Sequence, residues 1–268
     1  MDTVNNVIDS RLSTTLGQYF NGVSLRAAVG DCAILAGVRK QNGAPVDIYT
    51  PNFALSQNDD ITKDIGAAFA AYEKLSSARL QASERLLTTR SFKKSPALAV
   101  LSCPEPVFND AFDTRPLDMK LAVFDEVLEG LAHLHSAGLL HGNISDQTVR
   151  REGPDSTLRL CDLTFSGGRA TTVTTQPALY QSRNVINTGQ PAAVDDVHSA
   201  GMLGYRIFMG ENGPSRVLGG ADDTASITAA ILAEQADAPT ADQLFPDGHP
   251  SADQIARLLA RMTGRLAN

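Results

Sequence analysis

The spacing of apolar residues changes character once along this 268-residue chain, and that change most limits the folds open to it. Up to about residue 103 the apolar residues come in runs of strand length. Residues 23–29 and 33–38 are two such runs, Val46-Asp47-Ile48-Tyr49 alternates, and residues 97–101 are continuously apolar, as a buried strand is. Gln41-Asn42-Gly43-Ala44-Pro45 reads as the turn between the second and third runs. Residues 90–95 read as a basic, polar turn. One helix interrupts the strands: Asp59-Asp60 can cap it, and Ile61, Ile65, Ala68, Phe69, Tyr72 and Leu75 share one face. From Pro104 onward the spacing is mostly helical. Leu121, Phe124, Val127, Leu128, Leu131 and Leu134 make residues 117–136 a strong amphipathic helix. Residues 158–161 are a short strand, residues 197–209 a buried helix rich in small side chains, and residues 227–235 and 252–262 two further helices. No internal repeat is present. The expected fold class is α+β, with a small strand-rich lobe followed by a larger helical one.

Composition narrows the functions. Asp and Glu number 30 against 23 Lys and Arg, a formal charge of −7, which argues against a nucleic-acid binder. The 43% hydrophobic content is that of a globular protein. Cys32, Cys103 and Cys161 are odd in number, far apart and flanked by apolar residues; they read as reduced core thiols. No run of about 18 apolar residues occurs, so no membrane insertion is expected within the chain. The first 20 residues carry Asp2, Asp9 and Arg11 and lack the layout of a secretion signal. The expected compartment is the cytoplasm, for the chain alone or as the cytoplasmic part of a longer or membrane-anchored protein. Val4, Val7, Ile8, Leu12, Leu16, Tyr19 and Phe20 recur at near-helical spacing. They make either an added helix on the first lobe or a dimerisation or partner helix.

Four segments, in order, resemble those of protein kinases. Leu131-Ala132-His133-Leu134-His135-Ser136-Ala137-Gly138-Leu139-Leu140-His141-Gly142-Asn143-Ile144 resembles the approach to the kinase catalytic loop, which continues through Ser145-Asp146-Gln147-Thr148-Val149. Leu158-Arg159-Leu160-Cys161-Asp162-Leu163-Thr164 resembles the strand ending in the DFG motif. Asp195-Asp196-Val197-His198-Ser199-Ala200-Gly201 resembles the D-x-W-S-x-G start of the long buried helix, with Gly210 at the turn after it. Pro250-Ser251-Ala252-Asp253-Gln254-Ile255 resembles the last kinase helix. The resemblance implies a bilobal kinase-like fold: residues 1–22 an N-terminal extension, 23–103 the N-lobe with one main helix, and 104–268 the helical C-lobe.

The departures decide what the resemblance implies for activity. Kinase chemistry rests on charges placed around ATP, Mg²⁺ and the attacking hydroxyl. The catalytic aspartate falls at Asn143, and an amide takes no proton near neutral pH. The preceding arginine falls at Gly142, the catalytic-loop lysine at Ser145, and the metal-holding asparagine at Thr148. Asp162 keeps the DFG carboxylate as the one candidate metal ligand, followed by Leu163 and Thr164. In the first lobe the ATP-positioning lysine falls at Tyr49; Lys40 lies across the turn, and the partner glutamate would be Glu73 or Glu84. Gly30-Asp31-Cys32-Ala33-Ile34-Leu35-Ala36-Gly37 stands at the Gly-rich loop without its pattern, and Cys32 and Leu35 would crowd a phosphate. Gln181-Ser182-Arg183 stands at the A-P-E motif, where Arg183 reverses the charge.

The implied function is that of a pseudokinase without phosphotransfer, acting as a scaffold or allosteric regulator through protein partners. Catalytic residues and a cofactor are not expected. Two alternatives stay open: a pseudokinase that binds ATP as a switch, through a slot near residues 101–106, and an unconventional nucleotidyl or phosphoryl transferase on the same fold. His141 reads as a structural histidine bonded to backbone near Asp162. Asp196 reads as an acceptor for the loop's backbone N–H groups, and His198 as a space-filler. Thr171-Thr172-Val173-Thr174-Thr175 is either a phospho-acceptor loop or a flexible polar one. Arg90, Lys93 and Lys94 form a solvated turn or a site for an anionic partner.

Overall fold

The computed structural model describes residues 10–29, 32–51, 89–94, 97–102, 105–109, 111–151, 158–160, 178–233 and 238–265. The helix expected from Ile61, Glu73, Glu84, Cys103, Cys161, Asp162, Leu163, Thr164 and the Thr171–Thr175 run lie outside these residues. The described chain is mixed α+β: antiparallel sheets toward the N-terminus and a largely helical C-terminal region.

Helix α1 (Ser10–Tyr19) leads directly into strand β1 (Phe20–Val29). The strand therefore starts inside the segment read as an N-terminal extension, three residues before the boundary expected at 22/23. Its register slips between Asn21 and Ser24, where Gly22 takes a left-handed φ of 60°. A bulge of this kind breaks the alternation by which a strand is recognised in sequence. β1, β2 (Cys32–Arg39), β3 (Pro45–Pro51), β4 (Thr89–Lys94) and β5 (Ala97–Ser102) form one antiparallel sheet in the order β1-β2-β3-β5-β4. The β2–β3 turn is as expected: Gly43 has φ 71°, and Arg39 and Ala44 close the hairpin with a 2.9 Å backbone bond. Leu16, Phe20, Leu35, Val46 and Ile48 form the buried cluster of this part.

Residues 90–94 correct one expectation: they are a strand, not a turn, with Phe92 opposite Ala99 and Lys93 opposite Leu98. β4 is an edge of the sheet, and lysines are common on edges because they discourage pairing with another chain.

A second, three-stranded sheet runs β6 (Glu105–Pro106), β7 (Val149–Arg151), β8 (Leu158–Leu160). Between its first two strands lies α2 (Leu117–Ser136). Pro116 precedes the helix, Asp118 lies in its positive first turn, and Gly138 (φ 69°) ends it while Leu139 N–H returns to Leu134 O at 3.1 Å.

The C-terminal helices are α3 (Arg183–Thr188), α4 (Ala193–Met209), α5 (Gly213–Val217), α6 (Thr224–Ala233), α7 (Ala241–Leu244) and α8 (Ala252–Met262). α4 is buried almost all round from Ser199 to Phe208 and packs against α2, α5 and α8. Gly201 and Gly204 make the α8 crossing close: a Cβ at Gly204 would sit 2.3 Å from Leu259 Cδ2, and one at Gly201 2.8 Å from Met262 Cβ. Phe124, Phe208 and Phe245 stack in sequence, with centroids 5.6 and 5.4 Å apart. Each such side chain contributes about 1.5–3 kcal/mol by leaving water. Among the described residues no helix is long and apolar enough to cross a membrane.

Candidate functional site

The segment 141–148 links α2 to β7 and holds three of the positions singled out in the sequence: Asn143, Ser145 and Thr148. Two buried carboxylates at the start of α4 organise its surroundings. Asp196 is 2% exposed. Its Oδ2 accepts the His141 backbone N–H at 2.9 Å and its Oδ1 the Gly142 N–H at 2.7 Å, the structural role anticipated for it. Gly142 has φ 69°, a conformation that strains any residue with a Cβ. His135, in the last turn of α2, donates from Nε2 to the same Asp196 oxygen at 2.9 Å. A carboxylate can only accept, so this ring nitrogen carries the proton. Asp196 thus ties the end of α2, the loop and the start of α4 together.

Within the loop, His141 Nδ1 accepts the Asn143 N–H at 3.2 Å, so the histidine is bonded to backbone of its own loop; the backbone near Asp162, where its partner was expected, lies outside the described residues. The Thr148 hydroxyl donates toward Asn143 O at 2.9 Å and Ser145 O at 3.1 Å, and accepts the Ser145 N–H at 2.9 Å. Its single proton and a lone pair are engaged inside the loop, which makes it a turn-former. Asn143 and Thr148 are each 3% exposed and Ser145 0%. The loop therefore offers solvent an amide and two hydroxyls only from within a closed interior. Tyr49, the fourth singled-out residue, is on β3, opposite Ile34 of β2 and Ala99 of β5. Among the described residues no cluster of three His, Cys, Asp or Glu is placed to hold a metal ion.

Asp195 performs a parallel task for the preceding segment. Its carboxylate accepts from Ser182 Oγ at 2.6 Å, Asn184 Nδ2 at 2.7 Å and the Ala192 N–H at 2.7 Å. Ser182 also caps α3, accepting the Val185 N–H at 3.1 Å. Arg183 is exposed in the first turn of α3, between two residues that donate to Asp195. His198 lies in the second turn of α4. Burial, aided by the Arg265 charge and only partly offset by Asp195, lowers its pKa to about 4. An imidazole held neutral contributes stability above its unfolded pKa of about 6.5, which is lost as the pH falls toward 4. Thermal unfolding of a His198→Phe variant is expected to show a shallower loss of stability across that interval than the parent chain.

A third polar cluster was not foreseen. Arg206 of α4 is 6% exposed. Its Nη1 donates to Asp113 Oδ1 at 2.5 Å, its guanidinium lies 5.4 Å from the Phe108 ring centroid, and its Nε stands 3.9 Å from Asp146 Oδ2. The last distance is a charge contact, too long for a hydrogen bond. Tyr180 lies beside Asp146. The cluster joins the 141–148 loop, the turn before α2, the 3-10 turn Ala178–Tyr180 and α4. Burial raises the Asp146 pKa, with Arg206 and Tyr180 only partly countering it, and burial together with Asp146 pushes Tyr180 well above its ordinary range. A carboxyl with a raised folded pKa contributes stability below its unfolded value and loses it as the pH rises through the folded one. Relative to the parent chain, Asp146→Asn is expected to gain stability as the pH rises from about 4 to 7, measured by thermal unfolding at a series of pH values. The sequence does carry a signal for this cluster: Arg206 is the only charged residue in 197–209, and a charge in a buried helix requires partners.

Compared with models of protein families and with curated proteins, this chain matches none of them.

Proposed function

We propose that this chain is a pseudokinase: a kinase-like domain without phosphotransfer activity that works by binding protein partners, as a scaffold or allosteric regulator. One observation carries the reading. The loop where a kinase would present its catalytic base presents Asn143, and this residue is buried within that loop, which Asp196 anchors. An amide cannot take the proton of an attacking hydroxyl, and a buried one cannot be reached by it. Tyr49 in place of an ATP-positioning lysine, Ser145 in place of a phosphate-stabilising lysine and Thr148 in place of a metal-holding asparagine support the same reading. The tether from α4 to the 141–148 loop supports retention of a rigid framework, which is what a partner-binding domain requires. Calorimetric titration of ATP with and without Mg²⁺ or Mn²⁺, together with a radiolabel transfer assay, tests it. The expected result is no transfer to the chain itself or to a generic protein substrate above an Asp162→Ala control. Transfer above that control overturns the reading. Saturable, metal-dependent ATP binding without transfer would instead identify a nucleotide-controlled switch.

A further inference from the structure

Three Asn-Gly pairs occur in the sequence, at residues 21–22, 42–43 and 212–213. In an unfolded chain they are chemically alike. The glycine has no side chain to keep its main-chain nitrogen away from the asparagine Cγ. Folding makes the three pairs unlike. Gly213 is buried against the Tyr205 carbonyl, and its N–H donates to Gly210 O at 2.9 Å. Gly43 is exposed, but its N–H donates to Arg39 O at 2.9 Å. Asn42 Oδ1 meanwhile accepts the Ala44 N–H at 3.2 Å. In both pairs the glycine nitrogen is engaged, and at Asn42 the carboxamide is engaged as well.

Asn21-Gly22 stands differently. Both residues are exposed, and the space beside Gly22 is open. β1 is an edge of its sheet, paired with β2 alone among the described strands. The register sets Asn21 opposite Val38 and Ser24 opposite Ala36, and it gives Gly22 no opposite residue. The ladder is interrupted at a bulge, and edge segments open at low free-energy cost. No described residue hydrogen-bonds the Asn21 carboxamide. Arg39 and Lys40 follow Val38 directly, so the nearby charge is positive. Positive charge favours the deprotonated form of an amide nitrogen.

We propose that Asn21 is a site of covalent self-modification, deamidation to isoaspartate, with water as the co-reactant. The Gly22 nitrogen gives its proton to solvent and attacks Asn21 Cγ. A new C–N bond closes a cyclic imide, the C–N bond of the carboxamide breaks, and ammonia leaves carrying a proton from solvent. Water then opens the ring. Opening at the main-chain carbonyl of residue 21 leaves an isoaspartyl link, in which the chain runs through Cβ and Cγ. Opening at Cγ leaves aspartate. One water is consumed and one ammonia released, and nothing is oxidised or reduced. The isoaspartyl link lengthens the main chain by one carbon next to Phe20, which is buried with Leu16 and Leu35 and paired with Arg39. It therefore loosens the junction of α1 with the sheet, whereas the aspartyl product leaves the main chain as it was.

The test ages the full chain in mildly alkaline buffer, once folded and once in urea, and maps isoaspartate by tryptic digestion and mass spectrometry. Trypsin releases the three pairs in separate peptides, residues 12–26, 41–63 and 207–216. Labelling by a methyltransferase specific for isoaspartyl carboxylates distinguishes the two products. In the folded chain, isoaspartate is expected to accumulate at residue 21 at least tenfold faster than at residues 42 and 212. In urea the three rates are expected to converge, because the difference belongs to the fold. The melting temperature of the parent chain is expected to fall with ageing. That of Asn21→Gln should hold, since a glutamine closes its ring far more slowly, and fresh Asn21→Asp should melt with the fresh parent chain. Circular dichroism checks that both variants are folded, and the peptide map of the parent chain stands without them. A folded-state rate at residue 21 no higher than at residue 42 overturns the proposal. So does an absence of isoaspartate at residue 21 in the folded chain once the urea sample is fully converted. Accumulation at residue 21 with an unchanged melting temperature overturns the loosening of the α1–sheet junction.

Discussion

Asp196→Ala is expected to lower the unfolding free energy by about 3–5 kcal/mol, a large part of the ~5–15 kcal/mol that holds a typical domain together. The reason lies in what the carboxylate leaves behind. The N–H groups of His141 and Gly142 lose their acceptor in a buried site, and each orphaned donor costs about 1–3 kcal/mol. His135 Nε2 loses its partner as well. Asp196→Asn separates charge from geometry. The amide retains one oxygen, so it can still accept from one of the two backbone donors while its NH₂ faces the other. It is therefore expected to fall between the parent chain and the alanine variant. Urea unfolding of the three chains, followed by circular dichroism, measures both steps. A loss below about 1 kcal/mol for Asp196→Ala would mean that the loop finds other acceptors and is not held from α4.

Gly213→Ala is expected to be nearly as damaging, by about 2–4 kcal/mol, although it adds one methyl group. A Cβ at this position would lie 2.2 Å from the Tyr205 carbonyl oxygen and 2.8 Å from its carbon. Those are backbone atoms of α4, which is buried almost all round, so the clash cannot be relieved by turning a side chain. Gly204→Ala meets Leu259 Cδ2 at 2.3 Å and the Phe124 ring at 3.2 Å. Leu259 is fully buried and has nowhere to swing, so this change is expected to force α4 and α8 apart. Gly219→Ala is the control: its φ of 72° strains a Cβ, but the space around it is open, and a cost of about 1 kcal/mol is expected. Melting temperatures of the three variants should rank Gly219→Ala highest.

The two predictions concern the same helix for related reasons. Among the described residues α4 holds the close glycine crossings and the buried carboxylates Asp195 and Asp196, and the 141–148 loop hangs from it. In the pseudokinase reading this framework outlasts the chemistry because it serves stability. Asn143 can stand where a base would stand without loosening the loop, since the tether uses the neighbouring backbone N–H groups and not that side chain.

Much of this was legible in the sequence wherever the governing rule is local. The apolar spacing of residues 117–136 and 252–262 places both helices with the ends they have in the fold. Asn42-Gly43 places its turn. That Asn143 cannot be a base follows from the identity of the residue alone. The misreadings are local rules overridden. Residues 90–94 are basic and polar, which reads as a turn, yet they pair with β5 along their length. β1 hides its first residues behind a bulge at Gly22.

Only the tertiary structure could decide the partners. Asp113 and Arg206 are 93 residues apart, and Asp196 and His141 are 55 apart. No periodicity or propensity reports such pairs, because they exist only once the chain has closed upon itself. The sequence alone determined which groups are present, and hence that the 141–148 loop lacks a carboxylate at Asn143 and keeps hydroxyls at Ser145 and Thr148. Folding decided that Thr148 bonds within its loop, that Asp146 is half-buried beside Arg206, and that α2 and α8 leave a groove between them. The physical reason is that side-chain identity is inherited residue by residue, whereas burial, charge pairing and concavity are properties of surfaces brought together from distant parts of the chain.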